Sequence, residues 1–204
     1  MKQDVKIKFC GLHRYEDVEY ANILMPDYVG FVFAKSKRKV SYEMAVHLRG
    51  LLNKQIQVVG VFVNENPEVI IALLQSGVID LAQLHGTEGV EDIHQIQMKT
   101  KKKVIKGIRQ EQFSQIKLYE ESSCDFLLLD SGAGGGETFD WKLLPTIHKP
   151  FFLAGGITEE NVELGIRTVK PYGIDVSSGI ETDGKKDFTK MKSLMERIRR
   201  GESI

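Results

Sequence analysis

The 204-residue sequence has only two cysteines and no histidine or cysteine pattern typical of a metal site. Cys10 and Cys124 are too few to form a disulfide scaffold, so we expect a reducing, cytoplasmic environment. The five histidines and two cysteines contain no C-x-x-C or H-x-x-x-H spacing, and we therefore expect no bound metal. Each cysteine is therefore either an apolar residue that fills the core or a thiol that takes part in a reaction.

The sequence also lacks an excess of one charge and a long apolar run. Lys and Arg number 28, as do Asp and Glu, so the formal net charge is zero. Nucleic-acid-binding and anionic membrane-binding surfaces usually carry a basic excess, and we expect neither partner. No segment approaches about 18 consecutive apolar residues, and the N-terminal MKQDVKIKFCG lacks the apolar stretch of a signal peptide. Hydrophobic residues make up 42% of the chain, enough for one domain over residues 1–204.

Short apolar runs alternate along the chain with stretches of helical periodicity. The runs predict eight strands, at 5–10, 28–33, 56–63, 79–85, 103–108, 125–130, 150–155 and 172–177. Several are almost continuously apolar, which is typical of strands that are covered on both faces. Between them lie helical patterns with start signals, such as Asn66-Pro67-Glu68, which offers a cap, a first-turn proline and an acidic residue in order.

Eight strands alternating with eight helices predict a closed (β/α)8 barrel, an α/β fold whose active site lies at the C-terminal ends of the strands. The main structural alternative is an open doubly wound sheet, which more often has five or six strands and a glycine fingerprint after the first. The sixth unit is the weakest. We predict a mobile loop at 131–139, followed by only a short helix around 141–144.

Two neighbouring strand ends predict a phosphate site. Gly155 and Gly156 follow the seventh strand, while Ser177, Ser178 and Gly179 follow the eighth. Glycine lets the backbone approach a ligand closely, and barrels commonly bind phosphate between these two loops and a short extra helix. The alternative is ordinary turn glycine, but the combination at adjacent strand ends favours phosphate.

A thiol and a carboxyl group end two other strands. Cys10 ends the first strand and Asp130 the sixth, so both face the predicted barrel mouth and can serve as base and acid. The alternatives are an apolar filler and a turn-capping carboxylate. Arg38, after the second strand, is either a ligand for a substrate carboxylate or a solvated cation. His85 and Asp175 end the fourth and eighth strands.

Seven segments, in order across the whole chain, carry a family pattern. They are KFCGL (8–12), VGFVFAKSKRKVS (29–41), VGVFVNE (59–65), QLHG (83–86), LLLDSGAGGGETFDW (127–141), LAGGITEENV (153–162) and GIDVSSGIETDGKKD (173–187). Through them the chain resembles the phosphoribosylanthranilate isomerases of tryptophan biosynthesis. The resemblance implies a barrel of the ribulose-phosphate-binding type and a cofactor-free Amadori rearrangement. The substrate would be N-(5-phosphoribosyl)anthranilate and the product 1-(2-carboxyphenylamino)-1-deoxyribulose 5-phosphate.

The family pattern also implies roles for residues of this sequence. Asp130 would be the general acid that protonates the ring oxygen, and Cys10 the general base that removes the C2′ proton. Arg38 would hold the anthranilate carboxylate, whereas His85 and Asp175 match positions near the substrate whose roles stay open. The residues that would hold the phosphate are Gly155, Gly156, Ser177, Ser178 and Gly179.

The departures from the family pattern are few. The segment AKSKRKVS lacks a proline that is frequent before Arg38, Lys39 replaces a frequent tyrosine, and Glu137 stands where a lysine is frequent. These differences bear on loop dynamics and affinity more than on the reaction.

Three alternatives to this function remain. The isomerase of histidine synthesis uses aspartates at the ends of strands one and five, where this chain has Cys10 and the segment 106–108. The tryptophan synthase α chain relies on a carboxylate pair that has no obvious counterpart. A barrel that only binds a phosphosugar is the third. For all of them we expect a small phosphosugar partner and a monomer or homodimer.

Overall fold

The computed structural model describes residues 4–131, 140–141 and 144–201, and its strands form a closed parallel barrel. The eight strands are β1 (Lys6–Cys10), β2 (Tyr28–Val32), β3 (Gln57–Phe62), β4 (Leu81–Leu84), β5 (Val104–Arg109), β6 (Phe126–Asp130), β7 (Phe151–Ala154) and β8 (Gly173–Val176). They follow one another around the barrel in chain order, and β1 pairs in parallel with both β2 and β8. The predicted eight-stranded barrel is confirmed and the open sheet is wrong.

Helices follow most strands and cover the outside of the barrel. Those within the described residues are α1 (Tyr15–Leu24), α2 (Tyr42–Leu51), α3 (Pro67–Gln75), α4 (Val90–Thr100), α5 (Ile116–Glu121), α6 (Val162–Val169) and α7 (Phe188–Gly201). The predicted cap of α3 is confirmed, because Asn66 Oδ1 accepts a hydrogen bond of 2.9 Å from the backbone N–H of Glu68. Across these helices, none has the length and apolar character that crossing a bilayer requires.

Two of the predictions fall largely on residues that the structure does not describe. Of the loop predicted at 131–139, only Ser131 is described. Of the helix predicted around 141–144, positions 142 and 143 lie outside the described residues. Both predictions therefore stay predictions.

The interior of the barrel changes from apolar to polar along the strands. An apolar cluster is formed by Tyr28, Val59, Leu81, Ile105, Phe126, Leu128, Phe152 and Ala154. Side chains two residues apart on a strand share a face, so Gln83 follows Leu81 and Asp130 follows Leu128 on this inner face. The polar residues therefore form the top of the interior, at the C-terminal ends of the strands.

A short hairpin after β8 is an element that the sequence analysis did not predict. A 3₁₀ turn at Ser178–Ile180 leads into β9 (Glu181–Thr182), which pairs antiparallel with β10 (Lys185–Lys186). The connecting Asp183 and Gly184 both have positive φ, 52° and 74°, as a two-residue hairpin turn requires. The Asp-Gly pair was the sequence signal for this hairpin, which carries Glu181 and Lys186 towards the barrel mouth.

The loop after β1 is held by the buried carboxylate of Asp17, in the first turn of α1. Its Oδ2 accepts hydrogen bonds from the backbone N–H groups of His13, at 3.0 Å, and Arg14, at 3.1 Å. Its Oδ1 accepts from Nε and Nη2 of Arg14, and Nη2 also donates to the carbonyl oxygen of Lys186. Asp17 thereby fixes the backbone just after Cys10 and links it to the hairpin.

We expect Asp17→Ala to lower the free energy of unfolding by about 2–4 kcal/mol, because it leaves a half-buried guanidinium and two backbone N–H groups without their acceptor. Urea unfolding followed by circular dichroism measures this loss. Glu16→Ala, at the exposed neighbouring position, is the matched control and should change stability by no more than about 0.5 kcal/mol. Equal stability of the two variants would show that Asp17 is not a structural anchor.

Candidate active site

A cavity of about 360 Å³ opens at the C-terminal ends of the strands. The predicted site residues that line it are Arg38, His85, Asp130, Gly155, Gly156, Asp175, Ser177, Ser178 and Gly179. Cys10 is not part of the lining. It is buried, with 8% of its surface exposed, and its carbonyl oxygen accepts a hydrogen bond from Ser177 Oγ at 3.0 Å. Across the described part of the chain, no three His, Cys, Asp or Glu side chains are grouped as metal ligands.

Asp130 faces the cavity and is oriented by His85. Its Oδ2 lies 3.2 Å from His85 Nε2, and the Nδ1 of the same ring lies 3.0 Å from the amide nitrogen of Gln83. The two ring nitrogens of His85 thus contact Gln83 and Asp130, and the imidazole links the two side chains. A side chain at Gly107 would place its Cβ only 2.5 Å from Nδ1, so glycine is needed there to leave room for the imidazole.

The Cys10 thiol lies inside the barrel, next to Gly30 and near Lys8. A Cβ built on Gly30 would lie 2.8 Å from Cys10 Sγ and 3.3 Å from Lys8 Nζ, so both side chains use the space that glycine leaves. Lys8 is fully buried, and its Nζ donates a hydrogen bond of 2.7 Å to Asp175 Oδ1. Lys8 and Asp175 are register partners on β1 and β8, and the cluster therefore spans the seam that closes the barrel.

Burial and the nearest opposite charge shift the pKa values of Cys10 and Lys8 in opposite directions. Burial raises the pKa of Cys10, the charges of Lys8 and Lys186 lower it, and Asp175 raises it further; the net shift is upward. Burial lowers the pKa of Lys8, but Asp175 and Cys10 outweigh this effect and the net shift is again upward. The thiol form of Cys10 therefore predominates near neutral pH in the unliganded site, while Lys8 stays charged.

Arg38 is paired with a carboxylate of the unpredicted hairpin. Its Nε and Nη2 donate hydrogen bonds of 2.6 and 2.7 Å to the two oxygens of Glu181, and Lys186 Nζ donates to the same group at 2.7 Å. Burial opposes ionisation of Glu181, but these hydrogen bonds outweigh it and lower the pKa of Glu181 to about 2. Arg38 is therefore not a solvated surface cation. Its Nη1 takes no part in the pair, and the residue lines the cavity.

The loops after β7 and β8 meet backbone to backbone. Gly155 and Gly156 have φ values of 81° and 64°, in the left-handed region that favours glycine. A Cβ on Gly155 would lie 2.4 Å from the backbone nitrogen of Ser131, and one on Gly179 only 1.9 Å from the carbonyl oxygen of Ile157. Glycine at these positions thus lets the chain pack closely there, and residues of the loops after β7 and β8 line the cavity.

Several polar residues of this region were not predicted from the sequence. They are Lys8, Gln83, Arg109, Glu181 and Lys186. Lys8 and Gln83 precede Cys10 and His85 by two residues, so the alternation of side chains along a strand was a usable signal. Arg109 lies on the same face as Gly107, whereas Lys106 points the other way and binds Glu88 Oε2 at 3.1 Å.

Comparison with known proteins agrees with the fold. A family model described as N-(5'phosphoribosyl)anthranilate (PRA) isomerase matches residues 7–197. An N-(5'-phosphoribosyl)anthranilate isomerase of Thermoanaerobacter sp. (strain X514) is 47% identical over 199 residues, which cover 96% of this chain and 98% of the relative.

Solved structures of such enzymes have the same fold. The phosphoribosyl anthranilate isomerase of Thermotoga maritima is 35% identical, with a TM-score of 0.86 over 96% of this chain and 99% of that one. A phosphoribosyl anthranilate isomerase in complex with reduced 1-(o-carboxyphenylamino)-1-deoxyribulose 5-phosphate is also 35% identical, with a TM-score of 0.84 and the same coverage of both chains. The barrel, the matched residues and these relatives together show that the chain belongs to the N-(5'-phosphoribosyl)anthranilate isomerase family.

Proposed function

We propose that this protein catalyses the isomerisation of N-(5-phosphoribosyl)anthranilate to 1-(2-carboxyphenylamino)-1-deoxyribulose 5-phosphate in tryptophan biosynthesis, with Asp130 as general acid and Cys10 as general base. The observation that carries the proposal is the cavity itself, which is lined by the Asp130 carboxyl group, by Arg38 and by the glycine-containing loops after β7 and β8. A family member that is 35% identical binds a reduced form of the proposed product, which supports the same substrate class here.

The two ends of the substrate are anionic, and the cavity offers a different kind of site to each. The bare backbone of the loops after β7 and β8, with the hydroxyl groups of Ser177 and Ser178, suits a phosphate group. Arg38 suits a carboxylate, because a planar guanidinium presents parallel N–H groups to two oxygens. Glu181 occupies one edge of this guanidinium and fixes its plane, which leaves Nη1 for the substrate.

The first chemical step requires a proton at the furanose ring oxygen. Asp130 gives this proton, the bond between C1′ and the ring oxygen breaks, and its electron pair stays on the oxygen as a hydroxyl group. The lone pair of the anthranilate nitrogen forms the C=N bond of a Schiff base. His85 holds the Asp130 carboxyl group in place through the 3.2 Å contact, and Gln83 holds His85.

The second step requires a base at C2′. We assign this role to Cys10, which is 8% exposed and contacts the lining residue Ser177. Its thiolate takes the C2′ proton, the C–H electron pair forms a double bond to C1′, and the electrons of the C=N bond return to nitrogen. The resulting enolamine becomes the ketone when its enol oxygen loses a proton and C1′ gains one. No atom is gained or lost overall, and the steps as proposed use only proton transfers.

The alternative functions differ from this proposal in the catalytic residues that they require or in the absence of turnover. The isomerase of histidine synthesis requires a carboxylate at the end of β5, where the inward positions here are Gly107 and Arg109. A barrel that only binds phosphosugars would show ligand affinity without loss of substrate. A direct turnover assay on purified protein with phosphoribosylanthranilate therefore tests the proposal, and binding without turnover would reject it.

We expect Cys10→Ala to lower turnover by about 10²-fold or more, the usual contribution of a general base. Steady-state rates with phosphoribosylanthranilate measure this change. Cys124→Ala is the matched control, because Cys124 is also a buried free cysteine but its thiol donates to the carbonyl oxygen of Tyr119, away from the cavity. Near-wild-type turnover of Cys10→Ala would remove Cys10 from the mechanism.

Asp130→Asn should also lower turnover by about 10²-fold or more, since an amide of the same shape cannot give up a proton as a carboxylic acid does. Asp183→Asn, at the turn of the hairpin, exchanges the same groups away from the reacting atoms and should keep the wild-type rate. If both variants turn over at the wild-type rate, the acid is another group.

Arg38→Ala should raise KM by about 10-fold or more, because a charge-assisted hydrogen bond to the substrate carboxylate is lost. Inhibition by inorganic phosphate should be unchanged, while inhibition by anthranilate should weaken. Lys37→Ala removes an exposed neighbouring cation and serves as the control. Weaker inhibition by phosphate with unchanged inhibition by anthranilate would mean that the two anion sites are assigned the wrong way round.

A further inference from the structure

Lys8 is a fully buried charged side chain that has no part in the mechanism above. It lies on the inner face of β1, has no exposed surface and does not line the cavity. A lysine is rarely buried completely unless it is paired, because removing an ammonium group from water is costly. Its ion pair with Asp175, at 2.7 Å, compensates for this cost but does not explain why a charge is kept there.

The position of Lys8 relative to Cys10 suggests that its charge acts on the thiol. The two residues are separated by one position on β1, so their side chains share the inner face. Both Cys10 Sγ and Lys8 Nζ lie within 3.3 Å of the place where a Cβ of Gly30 would be. The ammonium group is therefore a close neighbour of the thiol, and Asp175 binds the same ammonium group.

We propose that Lys8 is a positioning residue that stabilises the thiolate of Cys10, and that Asp175 sets how strongly it does so by holding the ammonium group. The inference rests on the proposed role of Cys10 as the base, because only a thiolate can accept the C2′ proton. Lys8 adjoins the Cys10 thiol and acts through it, not on the substrate.

The charges around Cys10 balance only when its thiol has lost its proton. The charged groups of the surrounding elements are Lys8 of β1, Asp175 of β8, Glu181 of β9, Lys186 of β10 and Arg38 of the loop after β2. The adjacent position on β2 is Gly30, which carries no charge. Three cations thus face two carboxylates, and a thiolate supplies a third negative charge.

Lys8 and Asp175 should act on Cys10 with opposite signs. Removing the Lys8 charge destabilises the thiolate and raises the pKa of Cys10, whereas removing the Asp175 charge relieves a repulsion and lowers it. A merely structural role of the ion pair predicts no such difference, because either substitution breaks the same contact.

The test is a pH titration of the ultraviolet absorbance of the Cys10 thiolate. It is recorded for the wild type, Lys8→Met and Asp175→Asn, each corrected with the Cys10→Ala form of the same protein and each checked for folding by circular dichroism. At pH values below the titration midpoint of the wild type, Lys8→Met should contain at least about 10-fold less Cys10 thiolate than the wild type does. The reason is that a nearby opposite charge lowers the pKa of an acid by about 1–3. The midpoint of Asp175→Asn should move to lower pH.

A double variant keeps the inference testable if Lys8→Met alone does not fold. Lys8→Met/Asp175→Asn removes both charges and leaves neither partner buried without the other. Because Lys8 acts on Cys10 more strongly than Asp175 does, its midpoint should still lie above that of the wild type. A midpoint that is unchanged in the folded variant, whether single or double, would overturn the inference.

Kinetics separate this inference from the proposed function. Lys8→Met should lower kcat about 10-fold or more near neutral pH with little change in KM, and the rate should recover as the pH rises and the thiolate forms. If Cys10→Ala is inactive but Lys8→Met leaves the titration midpoint of Cys10 unchanged, the role of Lys8 is rejected and Cys10 stays the base. A normal rate in Cys10→Ala would reject the base assignment, while the titration would still report on Lys8.

Discussion

A buried ion pair joins the first and last strands of the barrel at the level where its interior becomes polar. Lys8 and Asp175 are register partners across the closing seam, and neither charge would be stable there without the other. The pair brings a cation to the inner face of β1, next to the residue that ends that strand. The small Gly30 on β2 follows from this crowding, because a larger side chain would collide with Cys10.

Two polar networks lie near the C-terminal ends of the strands. In one, Gln83 contacts His85 and His85 contacts Asp130, and in the other, the cations Lys8 and Lys186 act on Cys10. An acid and a base of the same reaction need different proton affinities, and different neighbours can set each of them. The hairpin after β8 belongs to the second network and also immobilises the guanidinium proposed to bind the substrate carboxylate.

Local sequence patterns were sufficient for most of the fold. The apolar runs predicted all eight strands, with ends that differ from the structure by no more than two residues, because strands covered on both faces need continuous apolar sequence. The cap at Asn66 was readable for a similar reason, since it depends only on residues next to it. The hairpin at 181–186 was missed although its Asp-Gly turn was visible, because its strands are too short to show alternation.

The sequence by itself determined the barrel and which residues end its strands, because both follow from periodicity and from the order of elements along the chain. Only the tertiary structure decided the partners of those residues. Lys8 meets Asp175 across 167 positions and Arg38 meets Glu181 across 143, distances over which local pattern carries no information. Burial of the Cys10 thiol among fixed charges likewise arises only when the first strand closes against the last.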